Sequence, residues 1–477
     1  MTTILQARLP LRDPHDCTDG ADELCLYGAF YDTLMRREGK GFTPRLAEQW
    51  EVSDDARHWR FELRADARFH DDTPCDAEAV CQSLRRMARP DKGYTLGAPG
   101  VWAQYLGGAR ISAAGPLTVE VSLAQPMADL PDVLVQGFIV APAGIAALET
   151  GMSAAPIGTG PYRLTGKGEG WIEAEATDHF SGRPANPRLR WEAKPDPAHR
   201  LARLLSGEAQ VATALDYHAS RALDAARATR VESLSPVAII YLLNAAQGPL
   251  SDARVRLALA LAVDRPALID AAVAGAARPL EGFVSPLHFG AGTEPAPSRD
   301  PRRARALLTE AGHADGLELT LDCPTRLPDE AERLTEALAT QLAAIGVRLD
   351  VRIHSEREDY AHMVRRKEIG DLCVFDSSPL STFRVLYEKI DSRVRGSWWQ
   401  GYANGEVEEL IDMGRATTDD VARAAVYAQA YGLLQQDPPW LMLYNPLKVT
   451  GLAGRHPGFR LPVDAVLDVA ALPALER

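Results

Sequence analysis

Long apolar runs are missing from this 477-residue sequence. No stretch approaches the roughly 18–20 consecutive apolar side chains that a membrane-spanning helix needs. Basic excess is missing too: the net charge is −13, which argues against nucleic acid, whose phosphates call for a basic face. Cysteine is sparse. Cys17, Cys25, Cys75, Cys81, Cys323 and Cys373 show no CxxC spacing, so neither a zinc ribbon nor a disulfide framework is indicated, and buried free thiols are expected. Met1–Pro14 has no apolar run of about 7–15 residues before a small-residue cleavage site, so no secretory signal is expected in it.

Catalytic and nucleotide signatures are absent as well. Gly158-Thr-Gly160 has Arg163 where a dinucleotide fingerprint needs its third glycine. Gly160…Gly166-Lys167 holds one residue too many for a phosphate-binding loop, and Gly168 stands where that loop needs a hydroxyl. There is no HExxH and no GxSxG. His354 and His362 are eight apart, too loose for a helical metal pair. His70 with Asp71 and Asp72 offers metal-ligand chemistry, but a turn before a helix capped by Asp76 is the simpler reading. Arg299, Arg302, Arg303 and Arg305 read as the solvated face of a helix start. No enzyme activity, cofactor or metal is expected.

What is present is a mixed α/β pattern on a chain long enough for about two to three domains. Leu24–Leu34 has helical spacing, followed by a polar turn at Arg36–Gly41. His58–Arg64 alternates Trp59, Phe61 and Leu63 with polar residues, as a half-buried strand does, and Leu117–Leu123 repeats the pattern. With the helix expected over Asp76–Met87, residues 48–156 form a small α+β unit. Pro156-Ile-Gly-Thr-Gly-Pro-Tyr162 then packs two glycines and two prolines into a segment that suits neither helix nor central strand. It is expected to return the chain to a larger domain.

Further strands are expected in Pro161–Glu175 and Arg188–Ala193, and helices over Pro197–Ser206, from Asp252 to Val263, and again from Asp264 with Pro266 in its first turn. In 300–353, Asp300 caps a helix and Leu317–Cys323 alternates as a strand. Asp329 is expected to cap a helix carrying Leu334, Leu338 and Leu342 on one face, and Val347–Ile353 alternates again. Strand, helix and strand with tight connections predict a parallel βαβ crossover. Asp371–Phe375 is the next strand, Val421–Gln436 a helix ended by Asp437-Pro438-Pro439, and Leu441–Tyr444 a last strand.

Ordered along the chain, several stretches resemble one family: Tyr31-Asp-Thr-Leu34, Pro44-Arg-Leu-Ala-Glu-Gln-Trp50 with Trp59-Arg-Phe-Glu-Leu-Arg64, Phe69-His-Asp-Asp-Thr-Pro74, Pro156–Tyr162, Asp252-Ala-Arg-Val-Arg256 with Ala262-Val-Asp264, and Asp300–Leu308. The set is similar to the extracellular solute-binding proteins of the oligopeptide, dipeptide and nickel class, receptors of ABC importers. The resemblance implies an α/β, periplasmic-binding-protein-like (Venus flytrap) fold of type II. Its first lobe is expected from 1–47, 157–236 and 440–477, a small extra domain from 48–156 and the second lobe from 237–439. A periplasmic monomer is implied, with a short peptide as ligand and permease subunits as partners.

The resemblance also implies a site. Asp376 falls in register with the aspartate that pairs with a peptide's free ammonium, flanked by Phe375 and Ser377; the alternative is an aspartate capping a helix that starts near Ser381. Cys373 stands where the family often has tryptophan, removing an aromatic wall that Trp398 and Trp399 can replace. After Asp13-Pro-His15, residues Thr18, Asp19 and Gly20 align with positions that meet ligand backbone, and Asn244, Trp102 and Tyr105 are further candidates. A nickel-chelate, opine, glutathione or oligosaccharide ligand, an intracellular sensing module of the same fold, and a cleft enzyme such as a peptidase are the competing readings.

Overall fold

Alternation and capping produce elements where they occur in the sequence. In the computed structural model, which describes all residues except 19, 95–99, 151–154, 293–294, 327, 378–379 and 476–477, His58–Leu63 is a strand with Trp59, Phe61 and Leu63 buried. It lies between Ala47–Val52 and Thr118–Ser122, and Arg110–Gly115 pairs beyond the latter, all antiparallel. The helix Ala77–Met87 packs on this sheet. Asp76 accepts from the Ala79 amide at 2.9 Å, a cap contributing about 1 kcal/mol.

The chain divides into two compact units, Met1–Ser233 with Lys448–Arg477, and Leu234–Leu447. The first holds the small sheet and a second, mixed one. There Thr2–Gln6 runs parallel to Arg188–Ala193 and to Val211–Ala212, and Trp171–Ala176 and Tyr162–Gly168 follow as antiparallel neighbours. Ile4, Leu26, Phe30, Tyr162 and Trp191 fill the core between this sheet and the helix Ala21–Phe30.

The segment Pro156–Tyr162 closes against the end of that helix. A Cβ on Gly158 would sit 2.3 Å from the Phe30 carbonyl oxygen, and one on Gly160 would sit 2.4 Å from the Phe30 carbonyl carbon. Only glycine permits this approach. The Gly160 amide donates to the Phe30 carbonyl at 3.1 Å, and the Thr159 hydroxyl donates to the buried Asp32 carboxylate at 3.0 Å.

In the second unit, Leu317–Pro324 pairs in parallel with Val347–His354 through the helix Ala331–Ala343, the expected crossover. It also pairs in parallel with Leu372–Ser377. Ala238–Leu243, buried at every residue, lies antiparallel between Leu372–Ser377 and Trp440–Leu452. Its Ile239, Ile240, Leu242 and Leu243 each contribute about 1.5–3 kcal/mol by leaving water. Asp252, Asp264 and Asp300 all cap the helices expected of them.

Four local expectations need correction. Arg36–Gly41 is not a plain turn: Met35–Glu38 and Gly41–Pro44 pair as a hairpin around Gly39 and Lys40. Asp329 does not cap the helix Ala331–Ala343; its N-cap is Glu330, without a side-chain cap bond, and the Glu330 carboxylate instead accepts from the Tyr444 hydroxyl at 2.8 Å. The apolar face of Val347–His354 is not uniformly covered: Val347 is buried, whereas Val351 is 38% and Ile353 54% exposed, because this strand ends the sheet order. Leu441–Tyr444 is the opening of the longer strand Trp440–Leu452. All six cysteines are buried.

Candidate functional site

The strand Leu372–Ser377 has a neighbour on both sides at Leu372 and Cys373, and its C-terminal residues Phe375, Asp376 and Ser377 pair with Ala238–Leu243. Successive side chains of a strand face opposite ways, which sets Asp376 opposite to Phe375 and Ser377. Phe375 and Ser377 are buried, and Asp376, opposite Ile239 in the sheet register, is half-buried. Phe375 stacks between Tyr360, at 6.5 Å between ring centroids, and Trp398, at 4.7 Å. Tyr360 is itself fixed, its hydroxyl donating to the Val374 carbonyl at 2.5 Å. Trp398 is buried with the Arg365 guanidinium 5.2 Å over its ring. Trp399 is half-buried and donates through Nε1 to the Tyr402 carbonyl at 2.6 Å.

One feature of this end of the strand leaves no mark in the sequence. The helix Thr382–Lys389 buries charged residues, Arg384, Glu388 and Lys389. Arg384 and Glu388 pair at 3.3 Å, and the Lys389 ammonium lies 3.5 Å from the Ser377 hydroxyl. A lysine at the end of a charged helical stretch reads as solvated, so nothing local announced its burial. The helix is capped by Ser381, which accepts from the Arg384 amide at 3.2 Å. The capping role weighed for Asp376 therefore belongs to Ser381. Cys373 is fully buried in the sheet against Tyr360, and burial pushes its thiol well above the usual range.

Asn244 is not brought to this place. It follows the strand Ala238–Leu243 at the end where Leu243 meets Leu372, five residues beyond the partner of Asp376, which puts it about 16 Å of strand away at roughly 3.3 Å per residue. Its amide is used locally: Nδ2 donates to the Gly370 carbonyl at 3.0 Å and Oδ1 accepts from Ala246 N at 3.2 Å.

In the first unit, Thr18 is buried and donates to the Tyr94 carbonyl at 2.9 Å, and Gly20 is the N-cap of the helix Ala21–Phe30. Asp19 lies outside the described residues. Trp102 is buried, its indole N–H donating to the His15 carbonyl at 3.0 Å, and Tyr105 is buried on the following helical turn. Thr18, Trp102 and the 92–94 segment thus meet around one loop.

That loop rests on a buried ionic network. Arg86 and Lys92 both donate to the Asp13 carboxylate, at 2.9 and 2.8 Å. Burial alone would raise the Asp13 pKa, but these donors outweigh it and hold the carboxyl well below the usual range. Arg86 also donates to His15 Nδ1 at 2.9 Å, which leaves Nε2–H to donate to the Phe138 carbonyl at 2.9 Å. Burial pushes the His15 pKa down to about 4, so the ring is neutral at physiological pH.

The turn reading of His70–Asp72 holds: Asp71 accepts from the Thr73 amide at 3.2 Å, and His70 pairs with the Gly160 carbonyl at 2.9 Å. Among the described residues no group of three or more histidine, cysteine or acidic side chains is placed to hold a metal ion. A cavity of about 490 Å³ in the first unit is lined by Arg36, Arg37 and Arg45. Each of these is paired, with Asp468, Asp132 and Asp32 respectively; Glu38 and Arg460 also line the cavity, and Arg460 donates to the Pro457 and Phe459 carbonyls. None of the sequence-selected residues lines it.

This architecture defines an α/β protein of the periplasmic-binding-protein-like class. The chain belongs to the bacterial extracellular solute-binding proteins, family 5, whose middle-region family model matches residues 41–378, more than half of its length. It is similar to the glutathione-binding protein GsiB of Escherichia coli (strain K12), 28% identical over 468 residues that cover 93% of this chain and 88% of that protein. Among solved structures it is similar to HbpA2 from Haemophilus parasuis (TM-score 0.84, 22% identity, 97% of both chains covered). It is also similar to the periplasmic binding protein DppA from Helicobacter pylori in complex with peptide STSA (TM-score 0.78, 21% identity, 97% of this chain and 96% of that one). The family is one of binding proteins, not enzymes.

Proposed function

We propose that this chain is the substrate-binding component of an ABC importer, a periplasmic monomer that captures a short peptide or related small solute and delivers it to permease subunits. The observation that carries the reading is the end of the Leu372–Ser377 strand. A half-buried carboxylate, Asp376, projects there from the face of the strand opposite to Phe375, the residue before it, which packs on Trp398. A carboxylate in a partly dry setting attracts a cation far more strongly than one in water. The names of the relatives support the ligand class, since glutathione and the peptide STSA both carry a free ammonium group. In this reading 48–156 is a small extra domain, and Thr18, Gly20, Trp102 and Tyr105 are the first unit's candidates.

Calorimetric titration with reduced glutathione and the tetrapeptide Ser-Thr-Ser-Ala tests the proposal. Asp376→Ala is expected to weaken binding by roughly 2–5 kcal/mol, the range for removing one partner of a buried charge pair. Asp376→Asn, which keeps the shape, should also weaken it. Unchanged affinity in both variants would remove Asp376 from the site.

A further inference from the structure

A lysine outside every candidate set holds the tryptophan loop in place. Lys367 follows the helix Arg357–Arg365 and has φ of +64°, the left-handed region where a helix end usually places glycine. Its ammonium donates to two backbone carbonyls, Gly396 and Ser397, each at 2.7 Å. Among the described residues no carboxylate pairs with it. The nearest acid in sequence, Glu368, is taken by Arg366. A half-buried ammonium with only neutral acceptors, on a backbone that disfavours a side chain, is an expensive way to fasten a loop.

The fastening is reinforced at both ends. Gly396 lies so close to the helix before it that a Cβ would come within 2.2 Å of the Glu388 carbonyl, and Gly401 packs equally closely on Ala246. Gln400 donates to the Val364 carbonyl at 2.8 Å and accepts from the Ala245 amide at 2.8 Å. Between these points sit Trp398, stacked on Phe375, and Trp399.

We infer that Lys367 is a positioning residue for ligand binding: by holding the Gly396 and Ser397 carbonyls it fixes the loop that carries Trp399 and packs Trp398 on Phe375, the residue before Asp376 in its strand. This rests on the reading that those residues meet the ligand. Burial, and then the neighbouring Arg365, push the Lys367 pKa down to about 8. The other charged groups around it are His362 and the Arg366–Glu368 pair on its own helix end, Arg395 on the loop, and Glu388 and Lys389 at the end of the helix against which Gly396 packs.

The test uses the full chain, with reduced glutathione and Ser-Thr-Ser-Ala as probes. Lys367→Met is expected to weaken binding at least tenfold. Lys367→Arg, whose fork can reach both carbonyls, should recover most of the loss. Indole emission of the wild type should shift with an alkaline midpoint near pH 8, and Lys367→Met should lack that step. In the folded protein the amine holds its proton less tightly than an unfolded lysine. The wild type should therefore gain stability over Lys367→Met as pH rises from about 8 towards 10.5.

If Asp376→Ala and Trp399→Ala weaken binding while Lys367→Met leaves it within twofold, Lys367 has no positioning role. If Asp376→Ala and Trp399→Ala change nothing, the ligand reading fails, and the emission step then decides whether Lys367 holds the loop. Should Lys367→Met not fold, the wild-type titration stands alone, and absence of a step near pH 8 overturns the proposal.

Discussion

Gly158 and Gly160 show how one missing atom decides local structure. Each packs its Cα against the end of the Ala21–Phe30 helix at a distance no Cβ tolerates. Gly160→Ala is therefore expected to destabilise the protein by about 1–3 kcal/mol, as overpacking does. Gly432 is the control. It lies inside the helix Asp420–Gln436, where an added methyl would meet nothing within 4 Å. Gly432→Ala should stabilise by about 0.5–1 kcal/mol, because alanine loses less backbone entropy on folding. Urea denaturation of the two variants separates the cases. Equal effects would mean that the close approach at Gly160 is not what restricts that position.

The same scale shows what sequence reading captured and what it missed. Glycines and prolines crowded into 156–162 marked a shaped connection, and that was legible. Which backbone they approach was not, because Phe30 lies more than 120 residues earlier and leaves no mark on the local pattern. Asp376 and Asn244 both come from the family resemblance, and the structure sets Asn244 beyond the far end of the strand that pairs with Asp376.

At the scale of elements, the loop 13–18 and the helix Ala77–Met87 act together through Arg86. His15 is neutral in the fold and accepts from Arg86, and burial lowers its pKa from 6.5 to about 4. The unfolded chain then binds more protons than the folded one between those values. Stability from this group is full above about pH 6.5 and is lost as pH falls towards 4. Between pH 7 and pH 5 the loss should be roughly 2 kcal/mol, since each tenfold difference in proton affinity between the two states is worth about 1.4 kcal/mol. Replacing the titrating ring in His15→Gln should flatten this part of the curve of urea midpoint against pH. A variant as acid-sensitive as the wild type would place the proton uptake elsewhere. Asp13 acts in the same direction at lower pH, since its depressed pKa gives stability that is lost on further acidification.

Elements themselves were the most legible level. The periods of two and 3.6 located the strands His58–Leu63 and Leu317–Pro324 and the helices on either side of Asp264. The failures occurred where tertiary context overrides periodicity. Val347–His354 alternates like a half-buried strand, yet its later residues lie on the edge, where Val351 and Ile353 meet water. Asp329 has the right chemistry for a cap, but the carboxylate beside it is held by Tyr444.

At the scale of the whole molecule, the chain passes between its two compact units twice, after Ser233 and after Leu447. The family match covers segments of both units. A ligand that binds only the folded state stabilises it by mass action. Glutathione or a short peptide at about a hundred times its Kd should add about 2.7 kcal/mol and raise the melting temperature, with the ligand recovered intact. Turnover of the peptide in the same mixture would instead favour the peptidase reading.

The α/β pattern, the helix caps at Asp252, Asp264 and Asp300, the parallel crossover, the lack of any apolar run long enough to span a membrane and, through an ordered set of short stretches, the family all follow from the order of residues alone. These are carried by neighbours within one or two turns or by residues read in order along the chain. Which charges are buried together, which glycines face backbone, and that Lys367 holds the carbonyls at Gly396 and Ser397 emerge from the folded chain. Those pairings join residues tens of positions apart, and their energy comes from desolvation and close packing, which no local spacing encodes.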